Sequence, residues 1–353
     1  MAKAVAVRRI AAATAFGGGG LGLLGGSVYG LLKTEAVVAR RRIGDTLGMP
    51  LDADGLYGAG LRGTPIRLAV LGDSAAAGYG ATVPQDTFGA FLATGLSTLS
   101  GRPVVLRCVA AVGAKSSDLA GQVGPALQIN PDVCIVIVGA NDVTHAVWPP
   151  RAVRALRDTL EGLRRPVPGL LRATAPEVVV GTVPDLGTVL PIPTPLRQVA
   201  RRWSRRLAAA QTVVAVESGA HSVSLGTILG PEFAARPADM FGPDRYHPSP
   251  RGYRDCATVM LPTVAAALGV LPDDTAEHEG YRGEGVFTLP RAASAAAEST
   301  GTEVTGADVR GSDRGPLGRW ASLRHRRRHP IPPPDAGQVR PGAGPEPQPV
   351  ELP

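Results

Sequence analysis

A serine hydroxyl becomes a nucleophile only when a base takes its proton, and the oxygen it attacks needs donors to hold the new negative charge. The stretch Leu71-Gly72-Asp73-Ser74 closes an apolar run, Ile66–Leu71, and three alanines follow it. If that run is a strand of a parallel sheet, Ser74 stands at its carboxyl end, where ligands bind in such sheets. A helix starting over the alanines would also set the hydroxyl near the positive end of a helix dipole. Taken alone, Gly-Asp-Ser reads equally well as a helix cap, a position that favours both Asp and Ser.

A serine of this kind needs a base, and the chain has six histidines, at 145, 221, 247, 278, 325 and 329. The last three lie in or near a low-complexity tail. Among the others, His247 has Asp244 three residues before it, in a loop rich in Gly and Pro that leads into a helical stretch at Pro250. A three-residue spacing can place the carboxylate on the imidazole nitrogen facing away from the serine, fixing its tautomer and stabilising the imidazolium. A turn-forming Asp beside an incidental His is the alternative reading of this loop.

Two further strand ends offer donors for an oxyanion. Val104–Val109 runs into Ala111-Val112-Gly113, where glycine permits close backbone approach and can present its N–H. Val133–Val138 runs into Gly139-Ala140-Asn141, whose side-chain amide is a second donor. Each has a bland counterpart: a strand-ending turn at Gly113, and an Asx-turn or helix cap at Asn141.

The elements that must position these residues follow from hydrophobic pattern. Ile66–Leu71, Val104–Val109, Val133–Val138 and Val178–Val183 are short runs of Val, Ile and Leu, with Ser222–Leu225 a possible fifth strand. Between and after them lie helical stretches at Phe88–Leu99, Ser117–Leu127, Pro150–Leu163, Leu196–Val216 and Pro250–Leu268. Such alternation predicts right-handed βαβ units, hence a parallel sheet of about five strands with helices on both faces.

In combination, Gly72-Asp73-Ser74, Val112-Gly113-Ala114, Gly139-Ala140-Asn141-Asp142 and Asp244-Arg245-Tyr246-His247-Pro248 resemble the blocks of the SGNH or GDSL hydrolases. The resemblance spans most of residues 66–268. It implies a flavodoxin-like α/β/α sandwich and a serine esterase or acyl hydrolase with Ser74, His247 and Asp244 as catalytic residues. It also implies an oxyanion hole of the Ser74 and Gly113 N–H groups with Asn141, and supporting roles for Asp73 and Asp142. No metal or organic cofactor is implied. Two departures stand out: Cys108 where the second block often carries Asn, and Lys115 where a Thr or similar residue often follows Gly-Ala. They predict altered substrate preference rather than lost activity. An α/β-hydrolase would need Gly-x-Ser-x-Gly, and residue 76 is alanine. An acyltransferase or a carbohydrate deacetylase of the cell envelope would use the same residues, and a binding protein that keeps the scaffold is a more distant alternative.

Composition bounds the partners. The net charge of +7 is concentrated at the start: residues 1–42 hold seven Lys/Arg and one Glu, while residues 43–290 hold 21 basic and 22 acidic residues. No basic groove for nucleic acid is indicated. The 23 residues Ile10–Leu32 are uncharged and follow Lys3, Arg8 and Arg9, which suits a membrane anchor or signal peptide and an exported enzyme; Lys33 and Arg40–Arg42 on the far side balance the near-side charge, so the cytoplasmic face of the membrane is the alternative. The expected organisation is an N-terminal targeting segment over 1–42, a linker over 43–65, the hydrolase domain over 66–270 and a disordered tail over 271–353. Substrates are expected to be small-molecule, lipid or envelope esters. Three cysteines are too few for a disulfide framework and lack metal-ligand spacing.

Overall fold

In the computed structural model the described residues are 31, 34, 35, 37, 38, 49–165, 174–226, 237–271, 283–307, 314–315, 318–326, 330–332 and 340–341. The chain begins its sheet with β1 (Gly55–Tyr57) and β2 (Ile66–Gly72), followed by α1 (Phe88–Ser100), β3 (Val104–Cys108) and α2 (Ala120–Leu127). Next come β4 (Val133–Ile137), α3 (Ala140–Thr144), α4 (Pro149–Arg164), β5 (Glu177–Gly181), α5 (Leu196–Glu217) and β6 (His221–Val223). After these lie α6 (Pro237–Met240), α7 (Pro250–Ala267), β7 (Gly285–Thr288), α8 (Leu289–Glu298), β8 (Thr302–Ala307), β9 (Arg314–Gly315), β10 (Gly318–His325) and β11 (Arg340–Pro341).

The five predicted strands are present as β2 to β6, parallel and in the order β3-β2-β4-β5-β6. Numbered from the first of them, that is the 2-1-3-4-5 order of flavodoxin-like sheets. The period-2 alternation of each strand divides the core between the faces. Leu68, Val70, Ile135, Ile137 and Val179 face the layer containing α1 and α7, whereas Ala69, Leu71, Cys134, Val136, Val178 and Val180 face α2, α4 and the end of α5. The helices start where their caps say: the Thr87 hydroxyl accepts from Ala90 N at 3.3 Å and the Ser249 hydroxyl from Gly252 N at 3.2 Å. Neither α5 nor its Pro195 N-cap offers a side-chain acceptor, and Glu35 from far upstream fills the gap, accepting from Leu196 N at 2.7 Å. A carboxylate there also complements the helix dipole.

Three expectations need correction. No regular helix follows Ser74: residues 75–80 form consecutive turns, closed by Ala77 N to Asp73 O at 3.0 Å and Tyr79 N to Ser74 O at 2.9 Å. Gly78 and Gly80 take φ of 70° and 95°, which ends any helical run before it begins. The linker over 43–65 is not a linker at its end, because β1 pairs antiparallel with β3 and buries Tyr57 and Ala53.

The third correction concerns the tail. Far from being disordered throughout, residues 283–307 and 318–326 build a second wing of the sheet, β6-β8-β10-β7, all antiparallel. The alanines of α8 pack with Val304, Ala321, Leu323 and Val216 in a small core of their own. Their composition looked featureless because Ala and alternating polar residues carry little hydrophobic signal, yet a close-packed helix needs only small side chains. The wing is fixed by buried charge. Glu303 is 1% exposed and accepts from Arg326 Nε, from Thr263 Oγ1 at 3.1 Å and from His221 Nδ1 at 3.4 Å. The stretch Ile10–Leu32 lies almost wholly outside the described residues, and among those described no helix is long and apolar enough to cross a membrane.

Candidate active site

The site forms where β2, β3 and β4 end. Gly72, the last residue of β2, has φ of 143°, and a Cβ on it would fall 1.9 Å from the Ile137 carbonyl oxygen. Only glycine lets β2 and β4 run this close, and the close approach directs the chain outward at Asp73-Ser74. Gln122 of α2 clamps the same residue, accepting from Gly72 N at 2.8 Å and donating to Gly72 O at 2.9 Å. Gln211 of α5 does likewise between β4 and β5, accepting from Val183 N and donating to Val138 O, both at 2.8 Å. Where the strands end at the site, these two buried amides hydrogen-bond their backbone groups, Gly72 O taking a second bond from Ala111 N at 3.1 Å. Neither was identified from the sequence; a Gln on the inner face of an otherwise apolar helix was the available signal.

Ser74, with no helix to cap, is 6% exposed, and its Oγ lies 2.8 Å from His247 Nε2. The other imidazole nitrogen, Nδ1, lies 2.6 Å from Asp244 Oδ2. A carboxylate there can only accept, so Nδ1 carries the hydrogen and Nε2 is left to accept the Ser74 proton. The loop that sets this up is tightly closed: Gly242 N donates to His247 O at 2.8 Å and Ser249 N to Met240 O at 2.9 Å. Within it Asp244 Oδ1 accepts from Tyr246 N at 3.0 Å and from His247 N at 3.1 Å. Burial pushes the Asp244 carboxyl up, but the His247 imidazole and these two N–H groups outweigh it and hold it below its ordinary value. Tyr79 and Tyr246 meet the His247 ring edge-on, with centroids at 4.8 and 4.9 Å.

The loops that carry the predicted donors are tied together at the strand ends, beginning with Ala111 N, which donates to Gly72 O at 3.1 Å. Among the described residues, neither Ser74 N–H nor Gly113 N–H donates to a protein acceptor. Gly113 takes φ of 80° with open space around it, a conformation that L side chains avoid. Asn141 sits inside α3 rather than capping it, and one hydrogen of its amide goes to Ala114 O at 3.0 Å. That bond ties the β4 loop to the β3 loop and leaves the second hydrogen of the amide for a ligand.

The neighbouring aspartates are structural supports. Asp142 Oδ2 accepts from Ser116 N at 3.0 Å and Ser116 Oγ at 2.8 Å, fixing the same two loops, and burial raises its carboxyl above the usual value. Asp73 is buried beside Ser74 with Oδ1 on Ala75 N at 3.0 Å. Burial pushes its carboxyl up to about 6, against the Ala75 N–H and the nearby His247. Cys108 sits at the end of β3 with its thiol 3.7 Å from Ala76 O, under the Ser74 turn, and Lys115 lies 3.9 Å from Asp118 at the surface.

Two spaces adjoin Ser74 and its donor loops. One is an apolar cavity of about 50 Å³ next to Ser74 and His247, walled by Phe88, Leu186, Val189, Leu225 and Cys256. The other, of about 860 Å³, runs along Lys115–Asp118 and the start of α4, past His145 and Trp148.

The profile of the GDSL-like Lipase/Acylhydrolase family matches residues 70–254. A GDSL-like esterase of Mycobacterium tuberculosis is 36% identical over 251 residues, covering 67% of this chain and 77% of the relative. Among solved structures, a carbohydrate acetylesterase family member from Sinorhizobium meliloti is 15% identical over 58% of this chain and 99% of its own, with a TM-score of 0.44. A lipase from a goat rumen metagenome is 16% identical over 57% and 97%, with a TM-score of 0.45. By its sequence, the chain belongs to the GDSL-like lipase/acylhydrolase family and is a carboxylic ester hydrolase.

Proposed function

We propose that this enzyme cleaves esters through an acyl-enzyme on Ser74, with His247 as general base and Asp244 holding the base. The observation that carries this reading is the unbroken run Ser74 Oγ, His247 Nε2, His247 Nδ1, Asp244 Oδ2, with contacts of 2.8 and 2.6 Å. His247 takes the Ser74 proton as Oγ attacks the ester carbonyl. Charge on the carbonyl oxygen is held by Ser74 N–H, Gly113 N–H and the free hydrogen of the Asn141 amide. The imidazolium, steadied by Asp244, protonates the departing alcohol. Water then attacks the acyl-enzyme with His247 again as base, and Ser74 is restored.

The apolar cavity of about 50 Å³ beside Ser74 suits the acyl half of the substrate. At roughly 10–15 Å³ for each water-sized group, it seats a short acyl chain. Export by residues 1–42 is part of the same proposal and rests on the uncharged stretch Ile10–Leu32 with its basic flank. Protease treatment of intact cells tests it, since a domain cleaved only after lysis is not outside.

The chemical test compares wild type with Ser74→Ala and His247→Ala on 4-nitrophenyl acetate, and follows Ser74 labelling by a fluorophosphonate through peptide mass. Both variants should lose turnover, and the label should sit on Ser74. Equal rates in all three proteins would overturn the assignment.

A further inference from the structure

We infer that the edge of the sheet on which Ser74 stands docks on an anionic phospholipid surface, through apolar side chains on its loops. The inference goes beyond ester cleavage and holds for either side of a membrane. Each loop between a parallel strand and the long helix that follows it lies at the carboxyl edge of the sheet, as Ser74 does. Four of these loops leave a large apolar side chain in water: Val83 after β2, Val112 after β3, Trp148 after β4 and Leu190 after β5, between 45% and 68% exposed. Val199, in the first turn of α5, adds a fifth. Exposed apolar residues scattered singly are ordinary, but one on each of four successive loops at a single edge makes a set of anchors suited to a bilayer interface. Trp148 fits that place best, since an indole is apolar over its body and polar at its N–H.

Two observations select a membrane as the occupant. The first is where the chain arrives. Glu35 accepts from Leu196 N at 2.7 Å, which fixes it to the N-terminus of α5 at this same edge. The uncharged stretch Ile10–Leu32 ends three residues before Glu35. Three residues reach at most about 11 Å, so a stretch held by a bilayer brings this edge to it rather than the opposite one. Leu31 and Val37, on either side of Glu35 in the chain, are each 48% exposed and add to the apolar rim. The second observation is charge. The first three turns of α5 carry Arg197, Arg201, Arg202, Arg205 and Arg206, and no acidic residue follows in the helix before Glu217. Buried Asp185 lies 3.5 Å from both Arg201 and Arg205. Five arginines against Asp185 and Glu35 leave a surplus of three positive charges next to the Leu190 loop. Arginines so placed reach lipid phosphates while their stems lie along apolar surface. A second copy of the chain, pairing this edge with itself, would set the same surplus against itself.

The experiment binds the full chain to phosphatidylglycerol vesicles with plain or brominated acyl chains and follows tryptophan emission in wild type and Trp148→Phe. The difference between the two proteins is the emission of Trp148, and sedimentation of the vesicles reports binding separately. Bromine quenches tryptophans that reach the acyl region, so Trp148 emission should fall at least about twofold as its ring enters the interface. On phosphatidylcholine the quenching should be about threefold weaker, because the arginines lose their partner. The double variant Val83→Asp, Leu190→Asp should lose most of the quenching while sedimentation persists through the N-terminal stretch. A chain that sediments with the vesicles while Trp148 emission stays unchanged is tethered without docking, which overturns the inference. Failure to sediment, equal quenching on both lipids, or full quenching in the double variant would overturn it as well. So would a concentration-dependent dimer that buries Trp148 without lipid, which assigns the edge to a second copy. None of these readouts depends on Ser74, so docking and the nucleophile assignment fail separately.

Discussion

Replacing Asp244 by Asn changes one atom and should still stop most catalysis, because the surrounding donors dictate which way the amide turns. Asp244 Oδ1 receives two N–H groups, from Tyr246 at 3.0 Å and His247 at 3.1 Å, while Oδ2 faces His247 Nδ1 at 2.6 Å. An Asn must keep its oxygen on the pair of N–H donors, since its NH2 there would confront two hydrogens with no acceptor. Its NH2 then faces Nδ1, which has to become an acceptor, and the ring proton moves to Nε2. In that tautomer the ring points a hydrogen at Ser74 Oγ and cannot take one. The expected loss in kcat is about 10⁴, on the order of 5 kcal/mol of barrier, with KM for 4-nitrophenyl acetate little changed and the thermal transition intact. Steady-state kinetics with a melting curve on the same sample reads both quantities. A kcat within about tenfold of wild type would refute the orientation argument, and with it the role of Asp244.

Asn141→Ala removes one of three donors and should lower kcat about 10²–10³ with little change in KM; equal losses in 1/KM and kcat/KM would show a ground-state binding role instead. Asp73, whose folded carboxyl titrates near 6 rather than 3.8, opposes folding once it is charged, so Asp73→Asn should stabilise the protein above pH 6 by about 3 kcal/mol. The gain should shrink as pH falls and vanish below 3.8, where the acid is protonated in both states, and urea titrations at pH 8 and pH 4 check the difference. Glu303 has the opposite sign: burial raises it, but His221 and Arg326 hold it down to about 2. The stability it contributes is present above 4.5 and lost as pH falls towards 2. Arg326→Ala at neutral pH should cost about 3–5 kcal/mol, seen as a lower urea midpoint, and a midpoint unchanged from wild type would mean the wing does not depend on this pair.

Much of the site was legible because its residues lie at the ends of strongly apolar runs. β4, with all five residues buried, and β2 announce themselves by composition, so Ser74, Gly113 and Asn141 could be placed at one edge of the sheet without any contact being known. Asp244 and His247 are neighbours in the chain, and their partnership needed only a tight loop. Hidden were the groups whose meaning depends on distant partners: Gln122 and Gln211 at the strand ends, and His221, whose carboxylate partner Glu303 is 82 residues away.

By itself the sequence determined which residues stand at the candidate site and the five parallel strands that present them, because those signals are local: hydrophobic period, turn residues and short spacings. Tertiary structure alone decided that Ser74 leaves β2 in a turn rather than a helix, since Gly72 must pass the Ile137 carbonyl and Gly78 and Gly80 adopt positive φ. It also decided that residues 283–307 and 318–326 extend the sheet. Small and polar side chains there gain their stability from pairing with β6 and from the buried Glu303, contacts that no local pattern encodes.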